Sequence, residues 1–180
     1  MIVRFLKARK VFVFTIDEGQ LRPIGIIFDS IINPEKGAIE GFWVKTKDGL
    51  KILSKESIRE WQGQKSIIID SEEDFLIPEE AHKFKKIFDI EVPLLGTKVW
   101  NRNICVGTLY DFSFDVYTLF IMQIYVSKGT LWWKRKRKIH RSKIVKINEN
   151  GIFIAENNIR TMKDIESEEI IHSGKAKKKV

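Results

Sequence analysis

The 180 residues include a single cysteine, Cys105, so no disulfide can form within the chain, which fits a reducing compartment. Only four prolines and no long polar tract interrupt a composition that is 43% hydrophobic, which excludes wholesale disorder and supports a packed core. The opening "MIVRFLKARK" has too short an apolar run for a secretory signal, and no stretch approaches the ~20 apolar residues of a membrane span. A cytoplasmic protein without a transmembrane segment is expected, with a peripheral position at a membrane as the alternative.

Groups that carry chemistry are equally sparse. The three histidines, His82, His140 and His172, stand far apart with no second ligand type at metal spacing. No glycine-rich loop precedes a Lys-Ser or Lys-Thr pair, so a phosphate cradle of the P-loop kind is excluded. Cys105 lies between Ile104 and Val106 in an apolar run, where a cysteine behaves as a small hydrophobe. No catalytic residue, metal or cofactor is expected, and the chain reads as a non-enzyme.

What the sequence does contain is a repeat. "GIIFDSIINPEKGAIEGFWV" (25–44) aligns without a gap on "GTLYDFSFDVYTLFIMQIYV" (107–126). Gly25 matches Gly107, Asp29 matches Asp111, Asn33 matches Asp115 and Val44 matches Val126, while Phe28 faces Tyr110 and Trp43 faces Tyr125. Downstream, "SIREWQGQKSIIID" (57–70) aligns with "KIVKINENGIFIAE" (143–156), placing Ile58 with Ile144 and Ile68 with Ile154. Short apolar runs punctuated by Asp48-Gly49, Lys128-Gly129 and Asn150-Gly151 are the signal of hairpins and small barrels. Gly25 and Gly107 suit a bulge or a close approach of strands, and Asp29 and Asp111, each inside an apolar run, are expected to face solvent or to accept backbone N–H groups at a bend. Between the copies, Pro78, Glu79 and Glu80 precede Ala81, Phe84, Ile87 and Phe88 at helical spacing, and Pro93 ends the pattern. This predicts a short amphipathic helix packed on a neighbouring unit.

Several of these segments together resemble the PRC-barrel family: the entry "LLGTKVW" (94–100), "VGTLYDFSFD" (106–115) with its counterpart "IGIIFDSIIN" (24–33), and the closing "SIIID" and "GIFIA". That small β-barrel is named after the cytoplasmic domain of the photosynthetic reaction centre H subunit and occurs also at the C-terminus of a ribosome maturation factor. The first copy departs from the pattern in its longer opening turn, "TIDEGQLRPIG", and in "FLKARKVFV" where the second copy has the Leu-Gly entry. The resemblance implies a mainly β chain of two small PRC-type β-barrels in tandem, joined by a short amphipathic helix. The expected boundaries are a first barrel over 1–71, a linker with the helix over 72–93, a second barrel over 94–160 and a charged, disordered tail over 161–180. It further implies an adaptor or assembly module that docks onto a larger protein or ribonucleoprotein complex.

The net charge of +8 is confined to one end. Residues 1–130 hold 18 basic and 18 acidic side chains, whereas residues 131–180 hold 14 basic and 6 acidic. An anionic partner is therefore expected at that end. Its centre is "LWWKRKRKIHRSK" (131–143). The interval from Val126 to Ile139 exceeds that from Val44 to Leu53 by four residues, so one hairpin of the second copy is extended. Taking Lys128-Gly129 as a two-residue turn, alternation puts Trp133, Arg135 and Arg137 on one face and Trp132, Lys134, Lys136 and Lys138 on the other. Charge on both faces predicts an arm projecting past the barrel. Trp132, Trp133, Lys134, Arg135, Lys136, Arg137, Lys138, Arg141, Lys143 and Lys146 are the candidate anion- or RNA-binding residues. Aromatic rings beside cations suit unpaired bases and also an anionic lipid surface. The competing reading is an edge strand guarded by lysines, with the tryptophans packed in the core.

Overall fold

A computed structural model describes residues 1–5, 9–78, 82–85, 94–129 and 135–155. The β-branched and aromatic runs form strands, as their alternation and turn residues dictate. In the first copy these are β2 (Phe12–Asp17), β3 (Gln20–Asn33), β4 (Ala38–Thr46), β5 (Gly49–Ser54), β6 (Glu60–Gln62), β7 (Ser66–Ile69) and β8 (Phe75–Leu76), after an initial β1 (Ile2–Arg4). The second copy supplies β9 (Lys98–Asn101), β10 (Ile104–Asp115), β11 (Ile121–Lys128), β12 (Arg135–His140), β13 (Ile144–Asn148) and β14 (Gly151–Ile154). One sheet runs β6-β7-β2-β3-β4-β5-β8 and the other β13-β14-β9-β10-β11-β12, with β1 added beside β10. Six strands therefore recur in one order, including a parallel pair in each copy, β2 with β7 and β9 with β14.

The chain is mainly β, but neither sheet closes into a barrel. Among the described residues the terminal strands of each sheet, β6 and β8 or β13 and β12, do not pair with each other. Strands β5 and β6 are consecutive, yet a 310 turn over Lys55–Ser57 carries the chain across the open side instead of forming a hairpin ladder; Arg141–Lys143 does the same between β12 and β13.

The repeat extends to the irregularities. The β3–β4 ladder shifts register between Ile27 and Asp29 and again between Ile31 and Ile32, and the β10–β11 ladder shifts between Leu109 and Asp111 and between Ser113 and Phe114. At the first of these bulges Asp29 accepts the Ser30 N–H at 2.8 Å and Asp111 the Phe112 N–H at 2.9 Å, the second of the two roles open to them. Gly25 and Gly107 lie inside their strands, next to a second bulge opposite Val13 and Val99. A Cβ on Gly107 would stand 2.5 Å from the Ser127 carbonyl oxygen and one on Gly25 2.6 Å from Val44 Cγ1. Only in the closing strand does the gapless alignment slip. Ile67 and Ile152 occupy equivalent places, opposite Val13 and Val99, so Ile68 corresponds to Phe153. The turn after Asn148 is one residue shorter than the turn after Gln62.

The two copies meet in one apolar core. Val13, Ile39, Phe42 and Ile67 of the first copy and Val99, Phe112, Phe114 and Ile152 of the second belong to a single buried cluster. Phe114 packs against Phe42 and Trp61, with ring centroids 6.1 and 5.9 Å away. At the junction Ala38 bridges Phe120, its own counterpart in the repeat. Ile39 N–H donates to Leu119 O at 2.8 Å and Ile121 N–H to Gly37 O at 3.0 Å. Each bond is the other with the copies exchanged, which is the self-complementary pattern of a two-fold interface.

The turn closing this junction is shared too. Asn33 Oδ1 accepts the N–H groups of Glu35 and Lys36, and Asp115 Oδ1 those of Tyr117 and Thr118. Gly37 at φ +61° is answered by Leu119 at φ +56°. The Thr118 N–H is the largest cause that holds the Asp115 carboxyl below the usual carboxylate range, with the Met1 ammonium adding to it against the effect of burial.

Of the expected joining helix, the described residues contain a 310 turn over His82–Phe84; residues 79–81 and 86–93 lie outside the description. No helix of seven residues or more occurs among the described residues. Phe84 does pack on the first sheet, against Ile31, Ile52, Trp43 and Leu76. The tail, 156–180, is likewise outside the described residues.

Candidate functional site

The basic run forms the end of a sheet. Arg135–His140 is β12, paired along its whole length with β11 in the register Lys128↔Arg135, Val126↔Arg137, Ile124↔Ile139 and Gln123↔His140. Ile139, 2% exposed, anchors it in the core. The projecting arm predicted from a Lys128-Gly129 turn is thus corrected. In the first copy Thr46 pairs with Gly49 across a two-residue turn, whereas here Lys128 pairs with Arg135, so the four additional residues fall between those two positions. Trp132, Trp133 and Lys134 lie outside the described residues.

The alternation of the remaining charges stands. Lys136, Lys138 and His140 face outward opposite Ser127, Tyr125 and Gln123; Arg137 is half-buried on the other side, opposite Val126. Position matters as much as charge. The equivalent strand β5 is covered on its outer edge by β8, through Ile52↔Leu76 and Leu53↔Phe75, while β12 ends its sheet among the described residues.

The other candidate cations are dispersed. Arg141 donates from Nη1 to Gly37 O and from Nη2 to Lys36 O, both at 3.1 Å, and lies 4.3 Å over the Phe120 ring. It joins the two copies. Lys143 ends the 310 turn and Lys146 sits on β13, both exposed, and Lys146 borders a groove with Pro34, Lys36, Arg141 and Ile144. A second groove, between Arg59, Trp61, Tyr117 and Leu119, occupies the place related to the first by exchange of the copies. His140 accepts the Ser142 N–H and so caps the 310 turn, as Ser54 caps its counterpart.

A set of residues not singled out from the sequence lies beside β12. Arg4 of β1 reaches Asp111 with Nε and Nη2, 2.6 and 2.5 Å from Oδ2, and its guanidinium lies 4.5 Å over the Tyr125 ring. Tyr125 packs against Tyr110 at 6.3 Å, and Lys136 Nζ sits 5.7 Å above Tyr110. The two tyrosines pass for core residues in the repeat, because Phe28 and Trp43 occupy their places in the first copy. The readable signal was that both changed toward a polar ring while the neighbouring strand became basic.

Among the described residues no three His, Cys, Asp or Glu side chains stand together as a metal site requires, and no helix is long and apolar enough to cross a membrane. Comparison with known proteins brings no relative to this arrangement: no family model matches the sequence, and no curated protein is significantly similar to it.

Proposed function

We propose that the protein is a non-catalytic, cytoplasmic adaptor of the PRC-barrel kind, two copies built into one frame, that docks onto a larger protein or ribonucleoprotein partner through the basic edge of its second half. The observation that carries this reading is the difference between equivalent strands among the described residues: β5 is covered by β8, and β12 carries Arg135, Lys136, Arg137 and Lys138 at the end of its sheet. A sheet end presents unpaired backbone groups to which another chain can add, and a basic one selects acidic or phosphate-bearing partners and speeds their encounter. One or two lysines suffice to guard an edge, whereas β12 carries four adjacent cations. The shared strand order and shared bulges support the tandem arrangement that the resemblance implies.

The test is affinity purification of the tagged full chain from its native cell, before and after nuclease treatment, beside a variant with Lys136 and Lys138 changed to Gln. A partner lost on nuclease treatment marks a ribonucleoprotein, and a partner retained marks direct protein docking. A partner set unchanged by the double substitution overturns docking through β12.

A further inference from the structure

The outward faces of the two sheets are equivalent in the repeat and opposite in character. On the first sheet Ile31, Gly41, Trp43 and Ile52 occupy that face, and Phe84 and Leu76 close over it, the Phe84 ring so near Gly41 that a Cβ there would be 3.3 Å from it. The registers Asp29↔Trp43↔Ile52 and Asp111↔Tyr125↔Lys138 identify the matching places on the second sheet. They hold Ser113, Gln123, Tyr125 and Lys138. An apolar, covered face has become a polar and cationic one.

Its centre is rigid. Asp111 is fully buried and fixes the Arg4 guanidinium through two hydrogen bonds, while the Tyr125 ring supports that guanidinium from beneath. The Arg4 side chain keeps 42% of its exposure, so this planar cation is held in place yet remains partly accessible. Tyr110 adds a second aromatic plane beside it, its ring tilted 52° to that of Tyr125, and Tyr125 Oη donates to Gln123 at 3.3 Å. Asp111 and Arg4 neutralise each other, so the charge the face offers a ligand comes from Lys136 and Lys138. Neither is paired with a carboxylate among the described residues. Two places apart on one strand, they stand ~6.6 Å from each other, a span that neighbouring phosphates of an extended single strand cover. Ser113 Oγ, on the strand between Arg4 and Gln123, is buried and has no hydrogen-bond partner among the described residues.

We propose that this face binds a short single-stranded nucleic-acid segment, with bases stacked on the Arg4–Tyr125 and Tyr110 planes and phosphates on Lys136 and Lys138. Every base presents a π-face to such planes, and guanidinium and phenol rings serve alike. A lipid surface would engage the lysines and make no use of the stack. The inference rests on the reading of β12 as the docking edge and names the ligand of the face beside it.

The experiment measures fluorescence anisotropy of the full chain with a labelled twelve-nucleotide oligouridylate and with an abasic ribose-phosphate chain of equal length and charge, across a salt series. One stacked base is worth about fivefold to 150-fold in affinity, so the oligouridylate should bind at least about tenfold tighter. Tyr125→Leu and Tyr110→Leu should each shrink that preference and leave the salt slope in place. Lys136→Gln with Lys138→Gln should lower the slope by about 1.4, at ~0.7 per phosphate contact, for both chains alike. Equal binding of the two chains overturns the proposal without recourse to variants. Overturning it as well would be an unchanged preference in the folded tyrosine variants, no oligonucleotide binding at low salt, or binding only to phosphatidylserine vesicles. If these fail while Lys136→Gln with Lys138→Gln still sheds a copurified protein, the docking reading survives alone; if base preference holds while nothing copurifies, the face survives alone.

Discussion

The Arg4–Asp111 pair joins residues 107 positions apart and ties the chain's first strand to the second sheet, so its removal tests how far the two copies depend on each other. Asp111 has no solvent exposure; its Oδ2 takes both guanidinium bonds and its Oδ1 the Phe112 N–H. Arg4→Met keeps an apolar stem and removes the cation. Breaking a fully buried pair costs about 3–5 kcal/mol, but Arg4 is 42% exposed, and water entering where the guanidinium lay recovers part of that. The expected loss is about 2–3 kcal/mol. Asp111→Asn retains an oxygen for the bulge N–H and lets the arginine turn to solvent, so about 1 kcal/mol is expected. The double variant should cost less than the two together by about 1.5 kcal/mol, because neither partner is then left buried without the other. Urea unfolding at pH 7 followed by tryptophan fluorescence gives these values from the midpoints at constant slope. A loss under about 0.5 kcal/mol for Arg4→Met, or strict additivity, would refute the reasoning and make β1 a passive edge.

Three further outcomes are expected. Gly107→Ala meets a backbone oxygen at 2.5 Å and sits at φ +148°, while Gly25→Ala meets the Val44 side chain at ordinary φ; strain and overpacking together put the former at about 4 kcal/mol and overpacking alone the latter at about 2, an order that thermal unfolding of the two variants checks. Because the Asp115 carboxyl is held below its usual range, the stability it contributes is full above the unfolded-state value of about 3.9 and is lost as pH falls below that through the native value. Asp115→Asn, which keeps the turn as Asn33 does, should flatten the acid-unfolding curve there. Lys136→Gln with Lys138→Gln touches only exposed side chains and should leave unfolding within about 0.5 kcal/mol of wild type, so that any loss of binding is not a loss of fold.

How much of this was legible follows from what each feature depends on. Gly25 and Gly107, Asp29 and Asp111, and Asn33 and Asp115 could be matched because bulges and Asx turns are local: a few neighbouring residues decide them, and the spacing survives in both copies. The closing strand was misaligned by one place because a single-residue difference in the turn after Gln62 changes which residue faces the core without altering the apolar character of "SIIID" or "GIFIA". Closure was not legible, since it depends on pairing between strands at opposite ends of a sheet. The basic run was recognised, yet its strand was drawn as an arm. The pattern "KRKRKIH" shows alternation but not the partner, and it is Ile139 on Ile124 that fixes the register. Arg4 carried no local signal at all, being adjacent to its site only through the fold.

The near two-fold arrangement gives these asymmetries their weight. If the copies were identical, Ala38 would meet its equal at Phe120, and each outward face would be covered or bare alike. Instead the junction is kept, down to the reciprocal bonds of Ile39 and Ile121, and the outward faces differ. Apolar side chains under Phe84 in the first half stabilise the frame by burial, at ~25 cal/mol per Å². Tyr125 and Lys138 forgo that burial at two of the same places in the second half, and the buried Ser113 brings no apolar side chain to a third. Apolar burial alone would favour repeating the covered face, so the polar one forgoes folding free energy, and it is on this difference that the proposed contact rests. The same reasoning separates Arg141 from its neighbours in the basic run: it serves the conserved junction, while Lys136 and Lys138 serve the face on which the halves differ.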